Sequence, residues 1–167
     1  MDINKKYVLS ILVANHSGVL TKLAGLFARR GYNIDSLSVG ETNDPLISRI
    51  TVVMTGDDYV LNQITAQLKK LHDVKKIMQL DEENSIFREI ILIKVKANKK
   101  DRSQIIEIAK VFRAKIVDLA TESITIELTG SSRKTEGFLE LLKPHGILDI
   151  ARTGLTAMER GNSAVDM

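Results

Sequence analysis

One pattern, strand–helix–strand–strand–helix–strand, occurs twice along this chain with a polar break between the two passes. That repetition restricts the possible folds more than any other feature. Tyr7 to Ala14 is an apolar, β-branched run that stops at the turn signal Asn15-His16-Ser17-Gly18. Leu20, Leu23, Ala24 and Phe27 then recur at the i, i+3, i+4, i+7 spacing of an amphipathic helix. Arg29 and Arg30 suit the negative end of its dipole, and Gly31 its C-terminal cap. Asn33 to Gly40 reads as a strand, and Ile50, Val52 and Met54 alternate with polar residues in the next. Asp57 opens a second helix with Leu61, Ile64, Leu68 and Leu71 on one stripe, and Val74 to Leu80 is a fourth strand. The segment Asp81-Glu82-Glu83-Asn84-Ser85 has no hydrophobic period. Beyond it the pattern repeats as strand Glu89–Ala97, helix stripe Ile105, Ile108, Ala109, Phe112, strand Ile116–Ala120 and the alternating Ile124, Ile126, Leu128. A helix around Thr135–Leu142 and a strand from Ile147 to Ala151 complete it.

Each pass of roughly 70 residues is the split βαβ arrangement, so the predicted fold is α+β with two tandem ferredoxin-like βαββαβ units. The predicted divisions are residues 1–80, a linker at 81–87, a second unit at 88–160 and a tail at 161–167. A unit of that size buries little surface, so pairing with a second copy is a physical expectation. The chain has no cysteine, which excludes disulfides, thiol catalysis and cysteine-held metal clusters. No apolar run approaches the roughly 20 residues of a membrane span. The Met1–Lys6 start lacks the apolar stretch of a signal peptide, and a soluble cytoplasmic protein is the simplest expectation.

Chemistry is sparse. His16, His72 and His145 stand far apart, without zinc-protease spacing. There is no Gly-x-Ser-x-Gly elbow, P-loop or Gly-x-Gly-x-x-Gly, so no catalytic or metal residue is proposed. The acidic pairs Asp57-Asp58 and Glu82-Glu83 read as a helix start and a solvated linker. RNA-recognition domains share this topology but need exposed aromatics on their central strands. The segments Ser48–Met54 and Glu89–Lys94 contain none, and a net charge of +3 gives a nucleic-acid partner no support.

The informative segment is Asn15-His16-Ser17-Gly18-Val19-Leu20. A helix start offers unpaired N–H groups and a positive dipole end to a carboxylate, and Gly18 leaves room for close approach. The Asn15 side chain has both a donor and an acceptor, as the two ends of an amino acid require. An ordinary capped helix is the plainer account of these residues alone.

The segments Asn15-x-x-Gly18-Val19-Leu20, Leu26-Phe27-Ala28-Arg29-Arg30-Gly31-Tyr32-Asn33-Ile34 and Ser48-Arg49 resemble the small, regulatory subunit of acetolactate synthase. Arg88-Glu89, Leu92–Val95, Ile108 to Asp118 and Ile150–Gly154 extend the likeness from about Tyr7 to Arg160. The resemblance implies that the first unit is an ACT domain, a module that binds amino acids, commonly at a dimer interface. The effector implied is valine or another branched-chain amino acid, held by Asn15, Gly18, Val19 and Leu20 of one chain. Asn33 and Ile34 of the paired chain complete that site, and Gly40 and Gln63 match positions tied to feedback sensitivity. Gly40 stands where some members carry alanine, and His16 where others carry an acid or lysine. The implied partner is a large catalytic subunit carrying thiamine diphosphate, Mg²⁺ and FAD, with no cofactor in this chain. The second unit has Ala97-Asn98-Lys99-Lys100-Asp101 at the corresponding junction, so it is not expected to bind valine as the first does. A free-standing amino-acid sensor is the alternative.

Overall fold

The computed structural model describes residues 5–161. Most of the expected tail, residues 162–167, therefore lies outside the described residues. The chain forms two compact units, one of residues 5–86 with 155–161, the other of residues 87–154.

In the first unit β1 (Lys5–Ala14), α1 (Val19–Arg29), β2 (Ser36–Glu41), β3 (Ile47–Gly56), α2 (Asp58–Leu68) and β4 (Val74–Leu80) follow in order. The sheet order is β2-β3-β1-β4, and β1 pairs antiparallel with both β3 and β4. This is the ferredoxin-like arrangement the periodicity predicts. Tyr7, Leu9, Ile11 and Val13 face the helices with Ile50, Val52 and Met54, meeting Leu23, Phe27, Ile64 and Leu68 in one core. Asp57 closes the start of α2, its side chain accepting Val60 N–H at 2.8 Å. Gly31, at φ +68°, ends α1 as expected, with Tyr32 N–H donating to Phe27 O.

The other sheet face of this unit is also buried at Val8, Ser10, Leu12, Thr51 and Val53. That explains why β1 reads as a continuous apolar run, since a strand covered on both sides has no polar face to alternate with. Residues 155–160, which include the short strand β9 (Thr156–Glu159), lie beside β1 and β4. They are tied by Leu155 N–H to Ser36 Oγ (2.9 Å) and Ser38 Oγ–H to Leu155 O (2.8 Å). Read from sequence, this segment continues the second unit. By its contacts it belongs to the first, with Leu155 and Ala157 both buried.

The second unit holds most of β5 (Ser85–Lys96), then α3 (Arg102–Val111), β6 (Lys115–Leu119), β7 (Ser123–Gly130), α4 (Ser132–Leu142), a 3-10 turn at Lys143–His145 and β8 (Ile147–Arg152). Its strand order, β6-β7-β5-β8, repeats the first. Ile91, Ile93, Val95, Ile105, Ile126 and Phe138 centre its core. The largest shifts from the expected strand starts are at β5, which begins at Ser85 rather than Glu89, and β2, which begins at Ser36 rather than Asn33. Just before β2, Asn33 Nδ2 donates to Asp35 Oδ1 (2.8 Å), and Asp35 N–H already donates to Val53 O of β3 (2.9 Å).

Candidate functional site

The β1–α1 junction is fixed by its neighbours. Ala14 N–H donates to Asp73 O at 2.8 Å, and Asn15 N–H to Leu46 O at 2.7 Å. The chain then reverses through Gly18, whose φ of +86° is a left-handed conformation that a side chain would strain. A Cβ built there would meet nothing within 4 Å, so the space in front of Gly18 is open. No side chain caps α1, and its first turn has no acid. The first helical bond runs from Lys22 N–H to Gly18 O (3.0 Å), which leaves the preceding N–H groups without helical acceptors. Positive dipole end and unpaired donors coincide at an exposed surface, and a carboxylate satisfies both.

The side chains named from sequence take different parts. Asn15 Nδ2 donates to Glu41 Oε1 (3.0 Å) and to Pro45 O (2.8 Å), so its donors are engaged and Oδ1 is the group left for an ammonium. Val19 is buried and packs in the core, so only its backbone faces the junction, whereas Leu20 is 39% exposed and supplies apolar surface. Asn33 is exposed and donates to Asp35 Oδ1 at 2.8 Å. Ile34 is partly buried against the core. Gly40 lies on β2 opposite Arg49, and the next residue, Glu41, connects that strand to Asn15. Gln63 is half-buried on α2, and among the described residues no hydrogen bond joins it to the junction.

Sequence reasoning missed Asp73. This residue is buried, and its carboxylate accepts from Lys22 Nζ at 2.8 Å and His16 Nε2 at 3.0 Å. The bond from Lys22, seconded by His16, holds Asp73 below the ordinary carboxylate range against the opposing cost of burial. Nothing in the sequence relates Asp73 to His16 or Lys22, because the pairing exists only once β4 lies beside β1. No group of three or more side chains suited to a metal ion occurs among the described residues. None of their helices is long and apolar enough to cross a membrane.

Tandem ferredoxin-like units, together with a family match over the first of them, place this chain among ACT-domain proteins. The family described as "AHAS small subunit-like ACT domain" matches residues 9–76, and that described as "Small subunit of acetolactate synthase" matches residues 88–161. The chain is 49% identical over 155 residues to the acetolactate synthase small subunit of Mycolicibacterium smegmatis, covering 93% of this chain and 91% of that one. It is 43% identical over 157 residues to that of Aquifex aeolicus, covering 93% and 82%. A crystal structure of the small subunit from Thermotoga maritima superposes with a TM-score of 0.86 at 42% identity, covering 95% of this chain and 99% of that one. This chain belongs to the acetolactate synthase small-subunit family, the regulatory subunits of that enzyme.

Proposed function

We propose that this chain activates a separate acetolactate synthase catalytic subunit and makes it sensitive to valine, as feedback control of branched-chain amino acid synthesis. The thiamine diphosphate, Mg²⁺ and FAD of the reaction belong to that partner, which decarboxylates pyruvate and joins the fragment to a second 2-oxo acid. This chain contributes control and no catalytic group. The carrying observation is the uncapped, acid-free start of α1 beyond Gly18, with open space before it. Valine's carboxylate lies on the N–H groups of Gly18 to Leu20, and its ammonium reaches Asn15 Oδ1. Leu20 of this chain and Ile34 of a second copy enclose the isopropyl group, with Asn33 of that copy on the polar end. The protein is therefore a homodimer of cytoplasmic location, its first units paired. Gly40 and Gln63 tune sensitivity without being required contacts.

The test is the activity of the catalytic subunit with and without this chain, across valine, leucine and isoleucine. Activation on addition, reversed by valine, is expected, and this chain alone forms no acetolactate. A catalytic subunit indifferent to this chain would remove the proposal. Light scattering at micromolar concentration checks the dimer.

A further inference from the structure

Besides the β2–β3 connection, which bonds Asn15, the β1–α1 junction is held from the turn between α2 and β4. There Asp73 uses three acceptors at once: its carbonyl takes Ala14 N–H (2.8 Å), Oδ1 takes His16 Nε2–H (3.0 Å) and Oδ2 takes Lys22 Nζ (2.8 Å). The residues so gripped precede Gly18 (Ala14, His16) and follow it by one helical turn (Lys22). The Asp73 side chain is only 11% exposed, while Lys22 and His16 are 58% and 52% exposed yet turn inward to reach it. Holding two such side chains costs rotamer freedom, which the ion pair with a nearly buried carboxylate offsets. His16 Nδ1 lies 3.1 Å from Ser17 O. Its two ring nitrogens thus lie against a carbonyl and a carboxylate, one on each side of the ring. These contacts sit directly before Gly18, whose φ is +86°.

We infer that Asp73 is the positioning residue of the effector site: through His16 and Lys22 it holds the Gly18 turn and the first turn of α1 in their binding geometry. The inference rests on the reading of this junction as the effector site. It explains why an acid sits near an anion seat without spoiling it, since both carboxylate oxygens are engaged by Lys22 and His16. A seat made of backbone donors binds tightly only if its geometry is set before the ligand arrives. Asp73 supplies that rigidity from outside the loop.

The test is a valine titration of the reconstituted enzyme carrying full-length Asp73→Asn, Lys22→Met, Lys22→Arg and Gly18→Asp, with melting temperatures measured alongside. Asp73→Asn should raise the half-inhibiting valine concentration by about tenfold, in keeping with loss of charge-assisted bonds. Lys22→Met should raise it by a few-fold, and Lys22→Arg, which keeps the cation, should restore the wild-type value. A purely structural role would lower the melting temperature of Asp73→Asn but leave both Lys22 variants inhibited like wild type, which overturns the inference. Unchanged inhibition in Asp73→Asn and Lys22→Met, with Gly18→Asp insensitive, also overturns it and leaves the site reading standing. If Gly18→Asp is still inhibited as wild type, the site reading itself falls.

Discussion

The two strand-to-helix junctions occupy the same place in the same topology, and they differ in what fills them. At the first, α1 starts behind left-handed Gly18 with no cap and no acid in its opening turn. At the second, Asn98 Oδ1 already accepts the N–H groups of Lys100 (2.9 Å) and Asp101 (3.0 Å). Asp101 itself precedes α3 in a right-handed conformation, φ −86°, and adds a negative charge where an effector carboxylate would sit. The Arg102 guanidinium is folded back onto the carbonyls of Ala97 and Ala120. The first junction leaves its donors open, while the second commits three consecutive N–H groups to Asn98. A repeated fold is thus no guarantee of a repeated site, because the ligand chemistry lives in a few loop residues.

The largest expected effect breaks the comparison at its open end. Gly18→Asp places a side chain in a left-handed position and a carboxylate in the anion seat, so valine affinity should fall by about ten- to a hundredfold or more. The reverse change, Asp101→Gly, should leave the valine titration unmoved, since Asn98 still accepts the N–H groups of residues 100 and 101 and the backbone N–H of Arg102. If Asp101→Gly adds a second valine per chain in calorimetry, the two junctions differ by one charge only.

Next in size is a substitution that separates a structural polar group from a functional one. Glu89 is buried in the second unit, accepting from Thr135 Oγ–H, with Arg152 Nη1 at 3.8 Å. Thr135→Val strips that donor from a buried carboxylate and should cost about 1–3 kcal/mol in urea unfolding. Valine sensitivity should persist, and its loss would tie the second unit to the effector response. Asn33→Ala is the matching change on the functional side. It should weaken valine binding by about 1–3 kcal/mol, the loss of a hydrogen bond to a charged group. Direct binding measured by calorimetry distinguishes that from a change in coupling to the catalytic subunit.

The smallest effect is confined to alkaline pH. Tyr7 donates to Asp58 Oδ1 at 2.6 Å, and that bond, with burial behind it, pushes the phenol up to about 12 from its ordinary 10. A folded-state value above the unfolded one favours the protonated phenol in the native state. The resulting stabilisation is complete below pH 10 and disappears as pH rises from about 10 to about 12. The melting-temperature difference between wild type and Tyr7→Phe should therefore shrink over that interval and stay constant below it. All three tyrosines, Tyr7, Tyr32 and Tyr59, lie in the first unit, so tyrosinate absorbance reports on that unit alone.

The two first strands also differ, and here the sequence speaks directly. In β5 the residues from Glu89 onward alternate buried and exposed, and Ile90 and Leu92 on the outer face remain 41% exposed each. In β1 the corresponding stretch is buried throughout from Tyr7 to Val13. Periodicity distinguishes these cases because a strand's side chains alternate between faces, so covering both faces erases the alternation. It does not say what does the covering. Leu155 and Ala157 follow the last expected strand by only a few residues, and linear order assigns them to the second unit. Their burial in the first follows from contacts made across the length of the chain.

What the sequence determined by itself is local in origin: the doubled βαββαβ order, the helix stripes, the Asp57 cap, the Gly31 stop and the glycine at the start of α1. Each follows from side-chain spacing or from the conformational freedom of one residue, within a few positions along the chain. Tertiary structure alone decided that Asn15 spends its donors on Glu41 and Pro45, that Val19 turns into the core while Leu20 stays outside, and that Asp73 holds His16 and Lys22. Those pairings join residues tens of positions apart. They form only when antiparallel register brings β4 and the turn before β3 alongside the end of β1, and no spacing rule along the chain encodes that register.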